Sequence, residues 1–157
     1  MPLILEVPGW RRLQLSHLVM DLNGTLALDG ELADGAYLAL AALGQRLQCH
    51  VVTADCHGNA AEIFADHPLA LQVITPGDEA AQKLALVRRL GADEVCAVGN
   101  GANDVSMLEA AAVGIAVLGP EGAASAALAA ADVVVPGALE ALELLLKPQR
   151  LQATLRR

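Results

Sequence analysis

Four groups of polar residues stand where short apolar runs end or where a helix is expected to begin. Asp21 ends the first run and leads into the Asn-Gly-Thr turn at 23–25, whose glycine lets backbone N–H groups face an anion. Thr53 ends a second run, 99–104 (GNGAND) follows a later one, and Lys83 lies near the start of a predicted helix. A carboxylate, a hydroxyl, an ammonium and a glycine-rich loop together can bind and attack a phosphoryl group.

These residue types also predict a metal site. Asp21 and Asp104 could share a divalent cation, because hard cations prefer oxygen ligands. Such a cation would offset the repulsion between an attacking carboxylate and a phosphate dianion. Lys83 would supply a second positive charge, and it is one of only two lysines in a chain with eight arginines.

Each group also has an ordinary structural interpretation. The segment 21–25 could be an Asx turn and 99–104 a plain loop. Thr53 could be a strand-end hydroxyl, and Lys83 a solvated charge on an amphipathic helix. Their joint occurrence, in order and each at a strand end or helix start, favours one phosphoryl site.

The elements that must position these residues are predicted from alternating apolar runs and Ala/Leu-rich segments. The predicted strands are His17–Asp21, Cys49–Thr53, Leu71–Thr75, Glu94–Val98, Gly114–Leu118 and Asp132–Val135, with an extra edge strand at Leu3–Val7. The predicted helices are Asp34–Leu47, Asn59–Asp66, Glu79–Leu90, Asp104–Ala112, Gly122–Ala130 and Leu139–Leu146, with Asp34 and Asp78 as caps. This order predicts a doubly wound, Rossmann-like parallel sheet of about five to six strands with helices on both faces. We expect one domain over residues 1–157, without an inserted second domain.

The composition is that of a small α/β protein with an aliphatic core. The 157 residues are 55% hydrophobic but only 2% aromatic, and the net charge of −8 argues against a nucleic-acid partner. No apolar stretch is long enough to span a membrane. Three cysteines without a C-x-x-C pair indicate a reducing compartment, so a cytoplasmic location is expected, with Cys56 as a packed thiol. The four histidines lack metal-ligand spacing, and the arginines near both ends are expected to be solvated.

The polar groups together resemble the motifs of a known superfamily. The segment 19–26 (VMDLNGTL) resembles the first motif of the haloacid dehalogenase superfamily, Asp-x-Asp-Gly-Thr-Leu. Val52-Thr53 is similar to its second motif, Lys83 to its third, and 99–108 (GNGANDVSML) to its fourth. The continuation 109–117 (EAAAVGIAV) is similar to the phosphorylation domain of P-type ATPases. The chain resembles most the small soluble P-type ATPase-like proteins, which have the haloacid dehalogenase-like core without a cap domain.

The resemblance implies a role for each residue. Asp21 would be the nucleophile that forms an aspartyl-phosphate on a small phosphorylated substrate, with Asn23, Thr53 and Lys83 beside it in the catalytic site. The residues implied to bind phosphate are Gly24, Thr25, Thr53, Ala54 and Lys83. The residues implied to hold Mg²⁺ are Asp21, Asn23 through its backbone carbonyl, Asn100, and Asp104 either directly or through water.

Two residues depart from the superfamily pattern. Most of its phosphatases have, in place of Asn23, an Asp that protonates the leaving group and then activates water, a group that contributes about 10²- to 10⁴-fold in rate. P-type ATPases also lack that carboxylate and carry Thr there. Asn100 replaces a metal-binding Asp, and a neutral ligand should weaken Mg²⁺ binding. The sequence therefore predicts a slow Mg²⁺-dependent phosphohydrolase.

Two interpretations remain open at the level of sequence. The intact Asp21, Thr53, Lys83 and Asp104 favour the hydrolase, whereas the two asparagines favour a phosphate-binding or regulatory module that has lost turnover. The segment 27–32, with Asp29-Gly30 as a hairpin turn, resembles the flap of capless relatives, which often oligomerise. A homo-oligomer is therefore a further expectation.

Overall fold

A six-stranded parallel sheet forms the centre of the molecule in a computed structural model that describes residues 1–157. The six strands are β3 (His17–Asp21), β6 (Gln48–Thr53), β7 (Ala70–Val73), β8 (Val95–Gly99), β9 (Val113–Val117) and β10 (Val133–Val135). Their spatial order is β10-β9-β8-β3-β6-β7, so β3, which comes first in the sequence, lies inside the sheet between β8 and β6. All five neighbouring pairs are parallel, which confirms the doubly wound α/β prediction.

Helices cover both faces of this sheet. The helices are α1 (Ala36–Leu43), α2 (Ala60–Ile63), α3 (Glu79–Leu90), α4 (Val105–Ala110), α5 (Ser125–Ala130), α6 (Ala138–Leu146) and α7 (Pro148–Leu155), with short 3₁₀ turns at Ala92–Glu94 and Ala102–Asp104. Successive strand residues point to opposite faces, so Met20 of β3 packs in one apolar cluster and its neighbour Val19 in another. Helices α1 and α6 cover the Met20 face, and α3, α4 and α5 cover the Val19 face.

The N-terminal segment differs from its prediction. The strand expected over Leu3–Val7 is β1 (Leu3–Glu6), but it does not join the edge of the central sheet. It pairs antiparallel with β2 (Arg12–Leu15), a strand that was not predicted, in a separate two-stranded ribbon. The alternating apolar side chains of both strands are buried, so the ribbon packs against the core by one face.

A short hairpin follows β3 and confirms the predicted turn. Strands β4 (Ala27–Leu28) and β5 (Glu31–Leu32) pair antiparallel around Asp29 and Gly30, whose φ angles are 51° and 82°. Positive φ at both central residues is the geometry of a type I′ turn, which suits Asp-Gly. The Nδ2 of Asn59, just before α2, donates to the Gly30 carbonyl at 3.0 Å and holds the hairpin tip. We refer to β4 and β5 with their turn as the flap.

The two predicted helix caps differ in outcome. The residue before α1 is Gly35, so the predicted cap Asp34 is wrong. Asp78 caps α3 as predicted, although its side chain makes no capping hydrogen bond. Helix α7 was not predicted at all; it begins at Pro148, a favourable first helical residue, and buries Leu151 and Leu155. No helix is both long enough and apolar enough to cross a lipid bilayer.

Candidate active site

The carboxyl ends of three adjacent strands bring the predicted residues together. Asp21 is the last residue of β3, Thr53 the last of β6, and Gly99 the last of β8, and β3 lies between the other two strands. Parallel strands place these ends at one edge of the sheet. Helix α3 adds Lys83 from the face of the sheet that it covers. Residues from distant parts of the sequence, Asp21, Thr53 and Lys83 among them, thus line one cavity of about 260 Å³.

Lys83 forms the charged centre of this site. Its ammonium donates to Asp21 Oδ1 at 2.9 Å and to Asp104 Oδ1 at 2.8 Å. All three residues are buried, and Lys83 is only 1% exposed. A buried lysine is expensive unless it is paired, so the two carboxylates explain how an ammonium can be kept here without solvent.

The site holds two carboxylates but only one ammonium. This imbalance shifts the pKa values of Asp21 and Lys83. Burial and the neighbouring Asp104 charge raise the pKa of Asp21 to about 6, although Lys83 opposes that rise. Burial disfavours the charge on Lys83, but Asp21 and Asp104 outweigh it and raise the pKa of Lys83 above its ordinary value. The site therefore carries excess negative charge when all three groups are ionised.

Asp104 has a different environment from Asp21. Its Oδ2 accepts the backbone N–H groups of Asn100 at 3.0 Å and Gly101 at 2.9 Å, while Oδ1 accepts from Lys83. Three donors thus hold a carboxylate that is fully buried. A Cβ atom on Gly99 would lie 2.4 Å from the Asp104 carboxyl carbon, so glycine is required for this close approach. Asp104 thereby orients Lys83 and shapes the loop after β8.

The turn after Asp21 is closed by its own backbone. The N–H of Gly24 donates to the Ala27 carbonyl at 2.7 Å and that of Thr25 to the Leu22 carbonyl at 3.2 Å. These two N–H groups are therefore engaged within the turn, and the contact of the turn's backbone with an anion stays a prediction. The buried Thr25 hydroxyl instead lies 3.3 Å from Asp21 Oδ2 and 3.1 Å from Asn100 Oδ1, and it joins the ends of β3 and β8.

The Thr53 hydroxyl is poised to donate. Its oxygen accepts the N–H of Asp55 at 2.9 Å, which leaves the hydroxyl proton available for a ligand. Thr53 is 2% exposed, and both Thr53 and Ala54 line the cavity. Asp55, at φ 56°, turns the chain and accepts the N–H of Ala60 at the start of α2. This turn fixes the direction in which the Thr53 side chain points.

Asn23 and Cys56 meet at the mouth of the cavity. The Asn23 Nδ2 lies 3.3 Å from the Cys56 sulfur, to which it donates. Cys56 is exposed, so the expectation of a packed thiol is wrong for this residue, whereas Cys49 and Cys96 are buried. The Asn23 side chain thus lies in the cavity but offers no titratable proton.

Two cavity residues, Glu79 and Glu121, were not predicted from the sequence, whereas Asn103 belongs to the polar loop 99–104. Glu79 of α3 accepts the side-chain amide of Asn103 at 3.1 Å, and both line the cavity with Glu121 from the loop between β9 and α5. Glu121 follows Gly119-Pro120, a pattern that predicts only a turn. No local signal marks these side chains as part of the site, because their position depends on how the loops pack.

The donors at this edge suit Mg²⁺ better than a cation that needs many protein ligands. No three His, Cys, Asp or Glu side chains are grouped closely enough to hold a metal by themselves. Mg²⁺ is usually bound by one or two carboxylates together with waters and substrate phosphate. Asp21 and the carbonyl-type oxygens of Asn23 and Asn100 form such a sparse oxygen set beside the excess negative charge, so the residues fit Mg²⁺.

Comparisons with known proteins agree with this geometry. Residues 46–139 match the family model described as haloacid dehalogenase-like hydrolase, a segment that includes Thr53, Lys83 and the loop after β8 but not Asp21. An uncharacterized protein of Methanocaldococcus jannaschii is 40% identical over 84 residues, which are 51% of this chain and 90% of that protein. The phospholipid-transporting ATPase NEO1 of Saccharomyces cerevisiae is 28% identical over 133 residues, 85% of this chain but only 10% of the ATPase.

A solved structure has the same fold. It is 3-deoxy-D-manno-octulosonate 8-phosphate phosphatase from Moraxella catarrhalis, in complex with a magnesium ion, a phosphate ion and a KDO molecule. The TM-score is 0.71 at 20% sequence identity, over 88% of this chain and 90% of that one. In the present chain the connection from β3 to α1 carries the flap and no cap domain. With the family model matching more than half of its length, the chain belongs to the haloacid dehalogenase-like hydrolases.

Proposed function

We propose that this protein is a Mg²⁺-dependent phosphohydrolase of small phosphate esters, with Asp21 as the nucleophile and with slow turnover. The observation that carries the proposal is the buried Lys83 ammonium held between Asp21 and Asp104 at 2.9 and 2.8 Å. Burial of a lysine between two carboxylates beside an open cavity adds little to stability compared with apolar packing. Such an arrangement, with the perturbed pKa of Asp21, is typical of a functional site.

Each polar group then has a task in phosphoryl transfer. The Lys83 ammonium holds Asp21 by Oδ1, so Oδ2, which lies 3.3 Å from the Thr25 hydroxyl, is the oxygen assigned to attack the phosphorus atom. Lys83 and the Thr53 hydroxyl donate to the phosphoryl oxygens as their charge develops. Asp104 is a positioning residue that keeps Lys83 and the loop after β8 in place.

Mg²⁺, when bound, would supply the positive charge that offsets repulsion between Asp21 and the phosphate dianion. Asp21, the backbone carbonyl of Asn23 and the Asn100 side chain would hold it. The Moraxella catarrhalis phosphatase, whose structure contains magnesium and phosphate, supports this assignment by its fold. Asp104 already accepts three hydrogen bonds and would act on the metal through water.

Asn23 explains why turnover should be slow. After Asp21 attacks, the leaving oxygen needs a proton and the aspartyl-phosphate needs an activated water. The Asn23 amide can orient either group but cannot exchange a proton with it. Both steps then depend on solvent, which favours leaving groups that depart without protonation.

Release of an aryl phosphate's alcohol tests the proposal. The protein is incubated with an activated aryl phosphate in Mg²⁺ and in chelator, and compared with Asp21→Asn. We expect release that requires both Mg²⁺ and Asp21. The variant Asp93→Asn, which makes the same chemical change at an exposed residue remote from the cavity, should release the alcohol at the wild-type rate. Equal release by wild type and Asp21→Asn would contradict the proposal.

A regulatory function is the second candidate, and Asn23 is the observation that favours it. If the aspartyl-phosphate forms but is not hydrolysed, phosphorylated Asp21 would be a stable state of the molecule. Mass spectrometry after incubation with a phosphoryl donor such as acetyl phosphate distinguishes the two functions. Accumulation of an 80-Da adduct on the peptide that contains Asp21, without alcohol release above background, would favour the module over the hydrolase.

A further inference from the structure

A loop residue lies where the phosphoryl site lacks a carboxylate. Glu121 belongs to the connection between β9 and α5, and its side chain lines the same cavity as Asp21, Asn100 and Lys83. The point where a Cβ atom would stand on Gly24 is 3.1 Å from the Glu121 carboxyl carbon and 2.7 Å from the Asn100 amide nitrogen. The carboxylate of Glu121 and the amide of Asn100 therefore flank the same glycine.

The Asn100 amide itself fastens the loop that carries Glu121. Asn100 Nδ2 donates to the carbonyl of Gly122 at 3.0 Å, and the Asn100 carbonyl accepts the N–H of Ala124 at 2.8 Å. The N–H of Gly122 donates to the Gly119 carbonyl at 2.8 Å, which closes a turn around Glu121. Gly122 has φ 75°, so glycine suits this turn. Three hydrogen bonds thus hold the loop at the cavity.

An aspartate at position 100 could not make the same connection. A carboxylate has no N–H to donate, and its charge would repel the carbonyl oxygen of Gly122. Because Asn100 Oδ1 accepts from Thr25 while Nδ2 donates to Gly122, the amide links the turn after β3 to the Glu121 loop. Asn100 therefore carries no negative charge itself, but its amide fixes the position of the loop that carries the Glu121 carboxylate.

The Glu121 side chain is free for such a role. It is exposed at the mouth of the cavity and makes no ion pair or hydrogen bond, unlike Glu79, which is bonded to Asn103. Lys83 is the only cation that lines the cavity, and it is already shared by two carboxylates. Added negative charge there favours a divalent cation over an anion.

We infer that Glu121 supplies to the Mg²⁺ site the carboxylate that Asn100 lacks, either as a ligand or through an intervening water. This inference rests on the proposed function only in taking Mg²⁺ as the cation. Outer-shell partners of metal sites contribute about 10- to 100-fold in metal affinity. Glu121 is thus part of the site although its loop lies outside all four motifs of the sequence.

Isothermal titration of the metal-free protein with Mg²⁺, in the absence of any substrate, tests the inference. Glu121→Gln should weaken Mg²⁺ binding by about 10- to 100-fold. Glu109→Gln removes the same charge from an exposed residue of α4 and should leave the affinity unchanged. Thermal unfolding of each variant in chelator checks that the fold is kept.

A second variant tests whether Glu121→Gln weakens Mg²⁺ binding by removing a charge or by disturbing the Glu121 loop. Asn100→Asp introduced into Glu121→Gln restores one carboxylate to this corner and should recover most of the lost affinity. Equal affinity of wild type and Glu121→Gln, or equal loss in Glu109→Gln, would overturn the inference, as would wild-type protein that binds no Mg²⁺. Failure of phosphate-ester hydrolysis with normal Mg²⁺ binding would overturn the proposed function alone.

Discussion

Lys83 Nζ lies 2.9 Å from Asp21 Oδ1, and both side chains are removed from solvent. This contact is not sufficient to keep the Asp21 pKa low, because burial and the charge of Asp104 raise it to about 6. Asp21 is therefore held in a state that costs stability when ionised. Such a cost is common in active sites, where a group is kept for reaction and not for packing.

Replacement of Asp21 by Asn should stabilise the metal-free protein at neutral pH. A carboxyl whose pKa rises from 3.8 to about 6 on folding binds more protons in the folded state, so wild-type stability falls as pH rises through that window. The wild-type protein loses on the order of 2–3 kcal/mol of unfolding free energy above pH 6 and none below pH 4, and Asp21→Asn should avoid this loss. Urea unfolding of both proteins at pH 7.5 and pH 4 measures the difference. If Asp21→Asn were less stable than wild type at pH 7.5, the raised pKa of Asp21 in the folded protein would be contradicted.

Replacement of Lys83 by Met should have the opposite effect. Asp21 and Asp104 would then face each other in a buried site without a cation, and breaking a buried pair in this way costs about 3–5 kcal/mol. Lys147→Met is the matched control, since the other lysine of the chain is exposed. The free energy of unfolding at pH 7.5 should fall for Lys83→Met and remain within about 0.5 kcal/mol for the control.

Conversion of Asn23 to Asp should accelerate turnover. The new carboxyl can protonate the leaving oxygen and activate water, a contribution of about 10²- to 10⁴-fold in kcat. The gain should be largest for substrates with poor leaving groups, since these depend most on protonation. Asn23→Ser, which removes the amide without adding a carboxyl, should show no gain. Equal rates for the Asp and Ser variants would mean that position 23 does not transfer a proton.

Replacement of Gly99 by Ala should disable the site and loosen the fold together. The added methyl group would lie 2.4 Å from the Asp104 carboxyl carbon, which must move away from Lys83 and the loop after β8. Overpacking of this kind costs about 1–3 kcal/mol. Gly44→Ala places a methyl group no closer than 3.4 Å to its neighbours and serves as control. Mg²⁺-dependent alcohol release and urea unfolding should both change for Gly99→Ala only.

The central sheet could be predicted because its inner strands β3, β8 and β9 are buried on both faces. Continuous apolar runs such as His17–Asp21 coincide with β3, and the helical spacing of Glu79–Leu90 coincides with α3. The ribbon of β1 and β2 could not be placed, since strand pairing is a tertiary choice that Leu3–Val7 alone does not determine. Helix α7 was missed because only Leu151 and Leu155 mark its apolar face.

The candidate site could be predicted in its main polar residues but not in its backbone contacts. Asp21, Thr53, Lys83 and Asp104 follow from their positions at strand ends and helix starts. The structure places the first three in one cavity and pairs Asp104 with Lys83 behind it. The engaged N–H of Gly24 could not be foreseen, because a turn's internal hydrogen bonds depend on its closure by Ala27.

The order of strands in the sheet has a consequence for how the protein is made. Strand β3 is synthesised before both of its partners, which are β6 and, much later in the chain, β8, where His17 aligns with Val95. Contacts of such long sequence separation form slowly and leave strand edges exposed meanwhile. Until Val95–Gly99 have been synthesised, one edge of the strand that ends in Asp21 is therefore unpaired, and the cavity around Asp21 cannot be complete before then.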